Sequence, residues 1–205
     1  MSTTSVLTQQ QRDTFRSNPL HSSGLTVLTT CSPRNNDLVT RLGADAVFNY
    51  QDSDCAAQIR AHTANNLFHA LDCVSESSSA KICADALSTS PEATKRYSSL
   101  LGISDFPRDD VETKTTIAYS AAGEELRFSG AAGAKIPDIP AKEEDLRFMA
   151  MFVGIVDGLL AEGKVKVHPV SVQGGGLKGI FEGLKAMREG KVSGEKLVYR
   201  VADTP

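Results

Sequence analysis

No two of the four cysteines in this 205-residue sequence form a CxxC pair. Cys31, Cys55, Cys73 and Cys83 fall in apolar or helical settings, so buried free thiols are expected. Histidine is equally sparse: His21, His62, His69 and His168 are scattered along the chain. A metal centre needs clustered ligands, so none is expected. No apolar run approaches the ~20 residues of a membrane span. Residues 1–22 are polar, carry Arg12 and Arg16, and lack the apolar stretch of a secretory signal. A cytoplasmic location is the expectation. There is no basic block either: 22 Lys and Arg stand against 25 Asp and Glu, a net charge of −3. That balance argues against a nucleic-acid surface, though not against a local anion pocket. GxSxG, HExxH and Walker A patterns are absent, which removes three common hydrolase signatures.

What is present is an ordinary globular mix, 40% hydrophobic and 23% charged. The length suits one well-buried domain. Residues 25–30, 46–50, 67–73 and 97–103 read as strands buried on both faces. Helix-like stretches at 35–42, 52–64 and 76–87 lie between them. Strands alternating with helices of about ten residues imply βαβ units and a parallel sheet. Beyond Ile103 the pattern becomes irregular. Residues 112–120 favour extended chain through Thr113, Thr115, Thr116, Ile117 and Tyr119, and 129–140 read as a loop. Residues 143–162 form the longest helix candidate. Its apolar positions recur at three and four, from Leu146 and Met149 to Leu159 and Leu160. An extended stretch at 167–172, a helix at 177–189 and a strand at 196–201 complete the chain. The fold class is therefore α/β, a doubly wound parallel sheet followed by helix–strand–helix–strand. Such sheets bind ligands outside the carboxyl ends of their strands.

The segment Thr29-Thr-Cys-Ser-Pro-Arg-Asn35 sits where a strand gives way to a helix. In a dinucleotide fold, an acidic residue here would bond the ribose 2′-hydroxyl of NAD. This segment offers Ser32 and Arg34 and no carboxylate. Two readings are open. A hydroxyl and a guanidinium at a helix start suit the 2′-phosphate of NADP. Equally, Ser32 caps a helix and Arg34 is a solvated charge. Tyr50, at the end of the next strand, is either an adenine neighbour or a half-buried aromatic. Asp72 reads as a strand-end cap for the helix that follows. Gly174-Gly-Gly176 reads as a flexible turn, and His168, before Pro169, as a structural residue.

Three runs carry a resemblance to a known family. They are Ser23-Gly-Leu-Thr-Val-Leu-Thr-Thr-Cys-Ser-Pro-Arg-Asn35, Leu42-Gly-Ala-Asp-Ala-Val-Phe-Asn-Tyr50 and Leu71-Asp-Cys-Val74. Together they resemble the medium-chain dehydrogenase/reductase superfamily. His168-Pro-Val-Ser-Val, Gly176-Leu-Lys-Gly-Ile and Gly190-Lys-Val-Ser-Gly-Glu-Lys-Leu-Val-Tyr199 narrow the likeness to the zinc-free, trans-acting enoyl reductases of fungal polyketide pathways. The resemblance implies a Rossmann-like domain and NADPH-dependent reduction of an enoyl polyketide intermediate carried by a polyketide synthase. It implies cofactor contacts at Ser32, Pro33, Arg34, Asn35, Tyr50, Leu100, Leu101, Val192 and Ser193. Ser120, Ala121, Ala122, Gly123 and Glu124 fall where the family has a substrate-lining TxFGE segment, here without its bulky member.

The departures set further expectations. The GroES-like catalytic domain of the family has no counterpart, and neither has the first Rossmann strand with its glycine-rich turn. No catalytic residue is assigned. Residues 1–22 are expected to be unrelated and flexible, and 23–205 to form an incomplete cofactor-binding domain with a C-terminal return segment. The strands flanking the vacant position would be orphaned, open to a second copy or to a partner. The alternatives to a reductase are a non-catalytic scaffold on a polyketide synthase or on another protomer, or a fragment without function.

Overall fold

The computed structural model describes residues 4–8, 24–128, 138–165, 167 and 169–205. Thr26–Cys31 (β2) shows how composition dictates burial. Its run of Thr, Val and Leu suits the pleated backbone, and five of its six residues are buried. Asn36–Arg41 (α1) follows, then Ala46–Asn49 (β3), Cys55–His62 (α2), His69–Asp72 (β4), Ser77–Ala86 (α3), Lys95–Ser99 (β5) and Val111–Thr115 (β6). Thr4–Thr8 (β1) joins them in one six-stranded sheet of order β3-β2-β1-β4-β5-β6. Every pairing in it is parallel. This is the strand order of a dinucleotide-binding sheet, with its switch point at β1.

One expectation is corrected here. The central position predicted to lack its strand is held by Thr4–Thr8, from within the segment expected to be unrelated to the domain. Val6 stands opposite Leu28 of β2 and Ala70 of β4. The physical reason is the ladder itself: two inner strands without partners would leave a row of backbone groups unbonded, at about 1–3 kcal/mol for each buried one. Five residues of extended chain satisfy both edges. The glycine-rich turn has no such substitute, since residues 1–22 contain no glycine.

Leu28 and Cys31, three apart on β2, face opposite sides of the sheet. Leu28 joins the larger apolar cluster with Cys55 and Ile59 of α2, Ala80 and Cys83 of α3, and Tyr97 of β5. Cys31 joins Val39 of α1 and Ala44. Helices thus cover both faces, as parallel sheets require. The edge strand β6 is buried only at Val111, and Glu112 pairs with Arg96 of β5 at 3.0 Å. Charges on an exposed edge discourage further pairing.

Four further elements form the C-terminal layer. Glu143–Ala161 (α4) precedes Val170–Gln173 (β7), Gly176–Arg188 (α5) and Lys196–Tyr199 (β8). β7 and β8 pair in parallel as a two-stranded sheet, crossed by α5. Among the described residues, no helix is long and apolar enough to cross a membrane.

Candidate cofactor site

The carboxyl end of β2 brings together most of the residues expected to hold a cofactor. Cys31 and Asn49 are register partners, so the residues after them emerge side by side. Ser32 is extended (φ −67°, ψ 144°) and opens a 3-10 turn over Pro33–Asn35. The Asn35 N–H donates to the Ser32 carbonyl at 2.9 Å. The Ser32 and Tyr50 hydroxyls lie 3.3 Å apart. The Asn35 amide donates to Ser193 Oγ at 3.1 Å, joining residues far apart in the chain. Val192 and Ser193 are half-buried on that loop. Gly194 (φ +68°) lets the loop approach, since a Cβ there would lie 2.7 Å from Leu38. Arg34 is exposed on the turn. Three hydroxyls, an amide and a guanidinium around one strand end make a site suited to a phosphate-bearing group.

The other half of the sheet edge is built on Asp72. Its carboxylate is fully buried, yet donors from the turn, from α3 and from β5 reach it. Val74 and Ser75 N–H groups donate to Oδ1 at 2.9 Å each. Ser79 Oγ and the Tyr97 hydroxyl donate to Oδ2 at 2.7 and 2.8 Å. Burial, reinforced by Asp72, pushes the Tyr97 phenol well above its ordinary range and keeps it a donor. The expected cap role of Asp72 is corrected here: Glu76 is the N-cap of α3, in a capping box with Ser79, whereas Asp72 ties the Val74–Ser75 turn ahead of it, and Tyr97 adds a partner that spacing could not reveal. Leu100 and Leu101 follow β5 on the same edge, and Leu101 is 48% exposed. Both of their N–H groups donate to Ser75 Oγ at 3.1 Å. Sequence reasoning missed Ser75: a serine two residues before a helix gives no sign of its reach to the next strand.

Ser120, Ala121 and Ala122 lie in a 3-10 turn, Ala118–Ala122, closed by Gly123 (φ +72°). A Cβ at Gly123 would meet Leu146 of α4 at 2.9 Å. A cleft of about 580 Å³ opens beside this turn. Ser120, Ala121, Thr115, Lys142, Phe148 and Met149 help line it, while Ala122, Gly123 and Glu124 do not. The Thr116 N–H donates to the Ser99 carbonyl at 2.8 Å, so the cleft adjoins the end of β5. The extended stretch expected at 112–120 therefore stops at Thr115, where the chain leaves the sheet edge and turns.

Two further groups are structural. Gly174, Gly176 and Gly179 have the spacing of a dinucleotide turn and sit between a strand and a helix. Gly175 and Gly176 take positive φ. Yet the helix start is already filled, since the Leu177 N–H donates to Thr204 Oγ1 at 2.9 Å. The four cysteines are buried, and burial pushes the Cys31 and Cys55 thiols up to about 11. Among the described residues no His, Cys, Asp and Glu cluster could hold a metal. His168 lies outside them.

No family model matches the chain. It is 46% identical over 165 residues to a dual trans-enoyl reductase/FAD-dependent monooxygenase of Aspergillus terreus, covering 80% of this chain and 22% of that protein. A trans-enoyl reductase of Alternaria alternata is 41% identical over 180 residues, 87% of this chain and 49% of its own length. One of Aspergillus niger is 42% identical, with 87% and 48% covered. The chain thus spans about half the length of the single-function relatives. Solved structures share the fold at low identity. The CurK enoyl reductase superposes with TM-score 0.62 at 14% identity, covering 96% of this chain and 55% of that one. A quinone oxidoreductase of Pseudomonas syringae gives 0.65 at 15%, covering 96% and 57%. CurA of Vibrio vulnificus, solved with NADPH, gives 0.58 at 13%, covering 96% and 56%. The chain is homologous to the trans-enoyl reductases over about half of their length.

Proposed function

We propose that this chain is the cofactor-binding half of an NADPH-dependent enoyl reductase that acts on an enoyl polyketide intermediate bound to a polyketide synthase carrier. The observation that carries the reading is the convergence of Ser32, Tyr50, Asn35 and Ser193 at the end of β2, with Arg34 exposed beside them. NADPH would supply the hydride. Ser32, Tyr50 and Arg34 would hold the 2′-phosphate, since the segment from Thr29 to Asn35 carries no carboxylate to repel it. Pro33 fixes the turn, and Val192 and Ser193 close over it. Leu100 and Leu101 would flank the nicotinamide half. The cleft beside Ser120 and Ala121 would admit the acyl group, with Phe148 and Met149 offering apolar wall. The residues fit the two ends of a dinucleotide better than its middle. The pyrophosphate ordinarily rests on a glycine turn, and residues 1–22 contain no glycine.

Isothermal titration of the chain with NADPH and with NADH tests this. NADPH is expected to bind at least tenfold more tightly, about the effect of one lost charge-assisted contact set. Equal binding, or none for either, overturns the reading. A second reading is a non-catalytic binding remnant that engages a synthase or another copy of the chain. The apolar side chains exposed on α4, β7 and α5 favour it. Light scattering of the purified chain discriminates, since a compact monomer counts against it.

A further inference from the structure

We propose that Ser75 is a positioning residue for the nicotinamide half of the cofactor site, acting through the Leu100–Leu101 backbone. The inference rests on the NADPH reading above. In this strand order β1-β2-β3 serve one mononucleotide and β4-β5-β6 the other. Ser32 and Tyr50 belong to the first half. Ser75, three residues beyond β4, belongs to the second.

Its backbone is held at φ +60°, a left-handed conformation that is costly for a residue with a Cβ. The other described non-glycine residues with positive φ, Ala64 and Asn65, precede β4 at the opposite edge of the sheet. Such strain persists only where surrounding contacts over-determine it, and here they do. The Ser75 N–H donates to Asp72 Oδ1 at 2.9 Å. Its hydroxyl proton points to the Asp72 carbonyl at 3.3 Å. Its oxygen accepts from the N–H groups of Leu100 and Leu101 at 3.1 Å each. The hydroxyl's single proton and both lone pairs are thus used.

This knot is not needed to join the strands. β4 and β5 are already paired from His69↔Arg96 to Asp72↔Ser99. Ser75 is only half-buried and is not part of the apolar core. The Leu100 N–H is shared with the Asp72 carbonyl at 3.3 Å, so what Ser75 adds beyond the ladder is a second acceptor for Leu100 and the acceptor for Leu101. Two consecutive amides converge on one oxygen, which fixes the turn and keeps the exposed Leu101 at the sheet edge. A rigid apolar turn there is a platform for a flat ring.

The test compares NADPH with 2′,5′-ADP, which carries the adenosine and 2′-phosphate but no nicotinamide. Ser75→Ala removes the hydroxyl and keeps the strained backbone. Ser75→Gly removes both, which guards against a variant that merely fails to fold. Both variants are expected to bind NADPH about tenfold more weakly, the scale of lost hydrogen bonds to a backbone turn, with 2′,5′-ADP affinity unchanged. The fluorescence of the bound reduced nicotinamide should shift toward that in water. Parallel weakening of both ligands assigns Ser75 a structural role and overturns the proposal, as does unchanged NADPH affinity. A wild-type chain that binds 2′,5′-ADP and NADPH equally well also overturns it, leaving the phosphate site intact. One that binds neither overturns the cofactor reading and this proposal with it.

Discussion

Arg108 and Asp110 show how much can rest on two surface residues. The Arg108 guanidinium donates to the Ala84, Leu87 and Ser88 carbonyls at 3.0, 3.0 and 2.9 Å, which satisfies one orphan acceptor in the last turn of α3 and two carbonyls just beyond it. It also forks onto Asp110 at 2.9 and 2.7 Å. Lys95, nearly buried at the start of β5, reaches the same carboxylate at 3.0 Å. Hydrogen bonds from Arg108 and then Lys95 hold the Asp110 carboxyl well below the usual carboxylate range. A depressed folded-state pKa stabilises the fold above the unfolded value of about 3.9 and ceases to do so as pH falls toward the folded value. Melting curves of wild type and Asp110→Asn should therefore differ most at neutral pH and converge in acid. A gap that stays constant with pH would sink the assignment. None of this was legible in the sequence. Lys95 and Arg96 look like loop residues, so the strand was expected to begin at Tyr97, whereas β5 begins at Lys95. The buried lysine is tolerated because its partner arrives from a separate turn.

Elements built from local pattern were legible, and those built from distant contact were not. The helix expected at 143–162 is α4, Glu143–Ala161. That expected at 177–189 is α5, Gly176–Arg188. Apolar periodicity writes such helices into the chain directly. β1 is five residues long in a polar context, and its strand character depends on β2 and β4 closing around it. Glycines on α5 carry the same lesson. Gly183 allows Tyr199 of β8 to lie against the helix, since a Cβ there would meet its Cζ at 3.0 Å and run into its hydroxyl, whereas a Cβ on Gly179 would run first into the Gly174 carbonyl. Gly183→Ala should lower stability by about 1–3 kcal/mol through overpacking. Adding Tyr199→Phe removes the atom in closest conflict, so the double variant should lose less than the sum of the singles. Urea denaturation of the four proteins measures the coupling. Strict additivity would mean that Tyr199 does not set the limit at Gly183.

At the scale of the molecule, burial divides the chain unevenly. The six-stranded sheet has helices on both faces, and β2 is almost wholly buried. The doubly wound architecture and its binding edge were legible because strands buried on both faces alternate with short helices. Which residues meet at that edge was legible through the resemblance and not through local pattern, since Asn35 and Ser193 touch only once the C-terminal layer is in place. That layer is the exposed part. No residue of α4 is buried. Phe148, Met151, Phe152 and Ile155 on it stand 40–58% exposed, with the Phe148 and Phe152 rings stacked at 6.0 Å. Val170 and Val172 on β7 and Phe181 and Met187 on α5 are exposed as well, Phe181 by 73%. A two-stranded sheet with one helix is marginal by itself, and a soluble monomer rarely leaves so much apolar surface contiguous with water. The isolated chain should therefore bind an anilinonaphthalene dye while folded and associate as its concentration rises. Phe148→Glu with Phe181→Glu should abolish both while leaving the circular dichroism of the sheet unchanged, because neither ring belongs to the buried clusters. Sedimentation velocity with dye titration reads the outcome. A wild-type chain that stays monomeric and dark at its highest soluble concentration would show that these faces are already covered within the chain.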